Sequence, residues 1–155
     1  MKEYLNLGKR LFPICRSITG NGVRKTLIII REYLPKLKIF EVKSGTKAFD
    51  WKVPPEWNVK NAYAEDKYGK KIIDFKNNNL HLVGYSIPTK KLITKKEFFL
   101  HLHTIKQQPN AIPYVTSYYK KYWGFCVSHK DKEIFTKKYR NNKDLFEVNI
   151  NSSSN

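Results

Sequence analysis

The chain has 155 residues, with 30 Lys and Arg against 13 Asp and Glu, for a formal charge of +17 at pH 7. Its length allows one domain, or one modest domain with parts of another, and an apolar fraction of 41% with 14% aromatics excludes a disordered chain. No basic leader precedes an apolar core, and the longest apolar run, residues 27–30, is too short to cross a bilayer, so the expectation is a soluble cytoplasmic protein without a membrane partner.

Residues 2–12 place Tyr4, Leu5, Leu7, Leu11 and Phe12 in an approximate helical stripe that Pro13 stops. A loop with Gly20 and Gly22 follows, feeding a helix over residues 22–34 that is expected to be capped by Asn21 and ended by Pro35. Because that loop precedes a helix N-terminus, Arg16 and Ser17 are candidates to hold a carboxylate or phosphate, against the plainer reading of a local Arg16 salt bridge.

Beyond Pro35 the pattern becomes alternating, and residues 38–43 read as a strand. Residues 44–59 then gather Trp51, Trp57, Pro54, Pro55, Asp50 and Glu56 into one run through which no helix can pass. Two large aromatics on a stiff bend suit a pocket wall, and equally a plug at the end of a sheet; Asp50 and Glu56 are candidates for a carboxylate pair, though their separation is not fixed by the sequence.

Trp57, Val59, Asn61 and Tyr63 fall on one face of a strand, and a turn at residues 66–69 leads into a second strand over 71–75. Asn77, Asn78 and Asn79 then precede an expected third consecutive antiparallel strand, residues 80–86. Thr94 and Glu97 form a capping-box pattern before a helix expected over about 95–104. His101 and His103, two apart, diverge on a helix and lack a third ligand at a recognised spacing. An aromatic stretch includes Tyr118, Tyr119, Tyr122 and Trp123; it suits base stacking but lacks a recognised RNA-binding pattern. A short helical piece over 131–138, a strand over 145–150 and a polar, frayed tail complete the chain.

Cys15 and Cys126 are far apart in sequence and read as reduced structural thiols. The positive charge is mostly scattered Lys with five Arg, so nucleic acid is the least favoured partner class.

Leu11-Phe12-Pro13-Ile14-Cys15-Arg16-Ser17-Ile18-Thr19-Gly20-Asn21-Gly22, Phe49-Asp50-Trp51-Lys52-Val53-Pro54-Pro55-Glu56-Trp57-Asn58, Leu80-His81-Leu82-Val83-Gly84-Tyr85-Ser86, His101-Leu102-His103-Thr104, residues 109–119 and Trp123-Gly124-Phe125-Cys126 together carry a resemblance. They are similar, in the same order, to bacterial aminopeptidase-like proteins of the di-zinc exopeptidase superfamily, in which a β-rich domain of unknown function is inserted early in the peptidase fold. The resemblance implies an α+β chain: residues 1–36 as a helical segment of the peptidase-like part, 37–140 as the inserted β-rich domain, and 141–155 as a returning strand without its sheet, plus the tail. The Cys-His-Pro motif that begins the family's metal-ligand region does not occur here, so catalytic and metal residues are expected to be absent from this chain, with zinc belonging to the complete family. The implied function is that of the N-terminal fragment of a zinc aminopeptidase-like protein, inactive by itself, with a separate chain as a possible carrier of the metal site. A free-standing module for a peptide or sugar-like small molecule is the alternative, and a basic nucleic-acid-binding domain a weaker one. Arg16, Asp50, Trp51, Glu56, Trp57, Tyr118 and Tyr119 are the candidate substrate contacts.

Overall fold

The computed structural model describes residues 2–154, and the chain is an α+β protein with helices first and mostly antiparallel sheet after. It divides into two compact units, Met1–Asn58 with Ser153–Asn155, and Val59–Ser152.

In the first unit the amphipathic pattern yields helix α1, Lys2–Leu11, ended ahead of Pro13, and α2, Asn21–Tyr33, ended ahead of Pro35. A bidentate ion pair from Arg10 to Glu32, at 2.7 and 2.9 Å, ties the two helices together. The cap of α2 differs from the expectation at Asn21. Gly20 is the cap residue, at φ +92°, and the amide of Asn21 donates instead to Oδ1 of Asn58 at 2.8 Å. A side chain 37 positions away thus does the work that a local Ser, Thr or Asn usually does. Gly20 is required by that close approach, since a Cβ there would stand 2.5 Å from the carbonyl oxygen of Trp57. Residues 38–43 are not a strand: they have β-forming side chains but no pairing partner among the described residues, and Phe40 and Val42 are exposed. Pairing begins later, in a hairpin of β1, Lys47–Ala48, and β2, Trp51–Lys52.

The second unit is built on a four-stranded sheet in the order β4-β3-β8-β5. β3 (Trp57–Asp66) and β4 (Lys71–Asp74) form the expected hairpin, with a register irregularity between Ala64 and Glu65. Ala62, Ala64 and Asp66 are the buried set on β3, so the inward face from residue 62 onward is opposite to the one carrying Asn61 and Tyr63. β5 (Thr89–Thr94) pairs antiparallel with β8 (Leu145–Ser154) over six residue pairs. Residues 151–154 are therefore paired strand and not a frayed tail, and β8, far from lacking a sheet, lies between β3 and β5. Asn155 is outside the described residues.

Two further expectations give way to tertiary pairing. Residues 80–86 contain a 3-10 turn, Asn79–His81, held by an Asn78 side chain that accepts from the Leu80 amide at 2.9 Å, followed by isolated bridges of Leu82 to Phe125 and Gly84 to Thr116. Helix α3 spans Lys95–Leu100, with Thr94 as its cap, and stops short of 104 because Leu102 and His103 form β6, parallel to β7, Phe125–Cys126. Burying Leu102 against this second strand outweighs a further helical turn. Helix α4, His129–Lys138, is capped by Ser128, whose Oγ accepts from the Asp131 amide at 3.0 Å. The core here is aromatic: Phe98 stacks on Phe146 at 4.9 Å, and Tyr139 meets Phe146 edge-on at 4.9 Å.

Candidate functional site

The first unit contains an open groove of about 380 Å³. Val23, Arg24 and Leu27, on successive turns of α2, form one wall; Ile39, Phe40, Glu41 and Val42 form another; Ala48 and Trp51 of the hairpin and Val53, Pro54 and Glu56 complete it. The Pro-Pro segment is fixed by Thr19, whose hydroxyl donates to the carbonyl of Pro55 and accepts from the amide of Trp57, both at 3.3 Å. Across the hairpin, Gly45 donates to the Val53 carbonyl at 2.8 Å and Val53 to that of Thr46 at 2.9 Å. Its two-residue turn puts Phe49 at φ +58°, fully exposed, in a conformation that bulky residues seldom adopt.

Charge is concentrated on one side of the groove. Arg24 reaches Glu41 at 3.1 Å and makes two hydrogen bonds to Glu56, one of them at 3.0 Å. The hydrogen bonds from Arg24 hold the Glu56 carboxyl below its ordinary range, so it is ionised at neutral pH and is not a neutral general acid. One guanidinium faces two carboxylates, leaving a local negative excess in a chain of formal charge +17. The arrangement suits recognition of a ligand with an apolar body and a cationic group.

Of the sequence candidates, Trp51 and Glu56 line this groove. Asp50 occupies the hairpin turn and is not among the lining residues, so no Asp50–Glu56 pair is assembled there. Trp57 is buried at 4% exposure, its amide held by Thr19, and serves as core. Arg16 is turned to the carbonyl of Leu11, and Ser17 is buried with its hydroxyl unpartnered. Tyr118 and Tyr119 belong to the second unit, where Tyr118 packs edge-on against Tyr85 at 5.0 Å. Arg24 and Glu41 were not singled out by the sequence. Their signal, opposite charges 17 positions apart, carries no local pattern, although Arg24 lies on the same turn-by-turn stripe as Leu27 and Val23.

The histidines in the second unit are engaged. His81 Nδ1 contacts the Cys126 carbonyl at 2.8 Å and His101 Nδ1 that of Trp123 at 2.7 Å, while His101 stacks on the Trp123 ring at 3.8 Å. His103 Nε2 pairs with the Tyr122 hydroxyl at 2.8 Å, and burial lowers its pKa. Among the described residues no group of three or more His, Cys, Asp or Glu stands together to hold a metal ion. These side chains do not fit a zinc site. Among the described residues no helix is long and apolar enough to cross a membrane.

A family model described as "Domain of unknown function (DUF2172)" matches residues 56–153. The chain belongs to this family. This DUF2172 chain is 59% identical over 152 residues to a Clostridium acetobutylicum protein named "Putative polysaccharide biosynthesis protein with aminopeptidase-like domain"; the match covers 97% of the chain and 33% of that protein. It is also similar to the crystal structure of a "putative peptidase" from Clostridium acetobutylicum, with TM-score 0.88 and 52% identity over 99% of this chain and 35% of the other. The DUF2172 chain thus spans about a third of the length of the relatives it matches.

Proposed function

We propose that this chain is the ligand-positioning, non-catalytic part of a zinc aminopeptidase-like protein of the di-zinc superfamily. In this reading the groove seats an apolar, peptide-like group whose ammonium meets Glu41 and Glu56. Any metal chemistry belongs to the part of the longer protein that this chain does not span, whether joined to it or supplied as a separate chain. The observation that carries the reading is the groove itself: Trp51 and Phe40 stand beside two carboxylates that share one Arg24. The aminopeptidase-like and peptidase names of the relatives support it.

The test is titration of the chain with leucine amide, read by Trp51 fluorescence, beside the isosteric amide that lacks the ammonium. Leucine amide should bind, with the uncharged analogue and the Glu41→Gln/Glu56→Gln variant each weaker by about tenfold or more, as expected for loss of a charge-assisted contact. Equal binding of all pairs, or none, sinks the proposal. A sugar-like ligand is the second reading, favoured by the 44% exposure of Trp51 as a stacking surface and by the relative's polysaccharide name. Binding of a neutral glycoside, with leucine amide inert, selects it.

A further inference from the structure

The hairpin beside the groove holds one side chain at a cost that the unbound fold does not recover. Strands β1 and β2 have two residues each, and the pair that closes onto the turn, Ala48 and Trp51, lines the groove from both strands. The two residues between them, Phe49 and Asp50, therefore stand at its rim. In a two-residue hairpin turn, a left-handed first position followed by an ordinary second one is a place for glycine. Here the first position is Phe49, at φ +58°, and Asp50 does not share the positive φ. A bulky residue is strained in that conformation, and at 100% exposure its ring gains nothing from burial. Strain held against both the backbone preference and the hydrophobic effect points to a contact made when something binds.

The base of the turn is firm. Pro54 is fully buried, Val53 is bonded across the hairpin to Gly45 and Thr46, and Thr19 holds the backbone of Pro55 and Trp57. Phe49 is thus presented on a braced support, which keeps the ordering entropy of a contact there small. The groove has a direction as well. An ammonium held by Glu41 and Glu56 fixes one end of a ligand, and whatever extends beyond its first apolar group has to leave across the open rim.

We propose that Phe49 is a specificity-determining contact: the ligand is a peptide of at least two residues, and its second side chain, large and apolar, packs on the Phe49 ring. This rests on the reading of the groove as a site for an amine-bearing, peptide-like group, and it names the class of ligand more closely.

Isothermal titration of leucine amide, Leu-Gly amide and Leu-Phe amide tests it, on the wild type, Phe49→Gly and Phe49→Tyr. The wild type and Phe49→Tyr should bind Leu-Phe amide about tenfold more tightly than Leu-Gly amide, and Phe49→Gly should bind the two alike. Equal binding of both peptides by the wild type overturns the inference. So does a preference that survives Phe49→Gly or disappears in Phe49→Tyr. In those cases bound leucine amide leaves the reading of the groove standing, whereas a wild type that binds none of the three amines removes that reading and this inference together. A second readout needs no ligand. Glycine suits the strained turn position, so Phe49→Gly should melt at or above the wild-type temperature. A lower melting temperature overturns the inference, because it assigns Phe49 to holding the fold together.

Discussion

Asp66→Asn tests how the second unit is held together. The Asp66 carboxylate is 1% exposed and accepts from the Tyr139 hydroxyl at 2.8 Å, the Lys138 ammonium at 3.1 Å, and the amides of Tyr68 and Lys70 at 3.0 and 3.1 Å. Burial pushes its pKa up, but the hydrogen bonds from Tyr139, Lys138, Lys70 and Tyr68 outweigh burial and hold it at about 2, against an ordinary 3.8. A carboxyl with a depressed folded-state pKa contributes stability that is fully present above the unfolded value and is lost as pH falls through the folded one. The gap is worth about 2.5 kcal/mol, present above about pH 4 and lost between about pH 4 and 2. Asn keeps the size but presents an N–H₂ group where Lys138 and Tyr139 require an acceptor. Urea unfolding followed by circular dichroism should place Asp66→Asn about 2.5 kcal/mol or more below wild type near pH 7, with the gap closing as pH approaches about 2. A gap that persists unchanged across that window, or no gap near neutrality, refutes the reasoning.

Two other perturbations follow from the same physics. A Cβ at Gly22 would lie 1.7 Å from the carbonyl oxygen of Cys15, so Gly22→Ala should cost about 3 kcal/mol despite its better helix propensity, seen as a lower melting temperature; an unchanged melt would show that the loop before α2 yields. Burial raises the Cys126 thiol to about 12, so a thiol reagent near neutral pH should modify it only on unfolding; rapid modification in the native protein contradicts the packing around β7.

The legible parts of the fold were those specified locally. Pro13 and Pro35 stop their helices, Thr94 caps α3, and the turn before Lys71 makes a hairpin, because each signal acts within a few residues. The illegible parts depend on distant groups. Asn58 caps a helix that begins at Asn21, and Phe125 draws Leu102 out of a helical pattern into a strand. Residues 38–43 have the composition of a strand and lack a neighbour to pair with among the described residues. The candidate site divides in the same way: Trp51 and Glu56 were visible in a rigid aromatic run, whereas Arg24 and Glu41 become partners only when α2 and the segment after it fold together.

The place of β8 between β3 and β5 has a consequence for synthesis. Emerging from the ribosome, β3 and β4 can pair at once, but β3 and β5 each present a bare row of amides and carbonyls until residues 145–154 arrive. Of the four strands of this sheet, the last in sequence is the one that joins its halves. A nascent chain paused before residue 145 therefore carries two templates for wrong pairing, which makes this interval the one in which a chaperone, or slow translation downstream of it, has the most effect on yield.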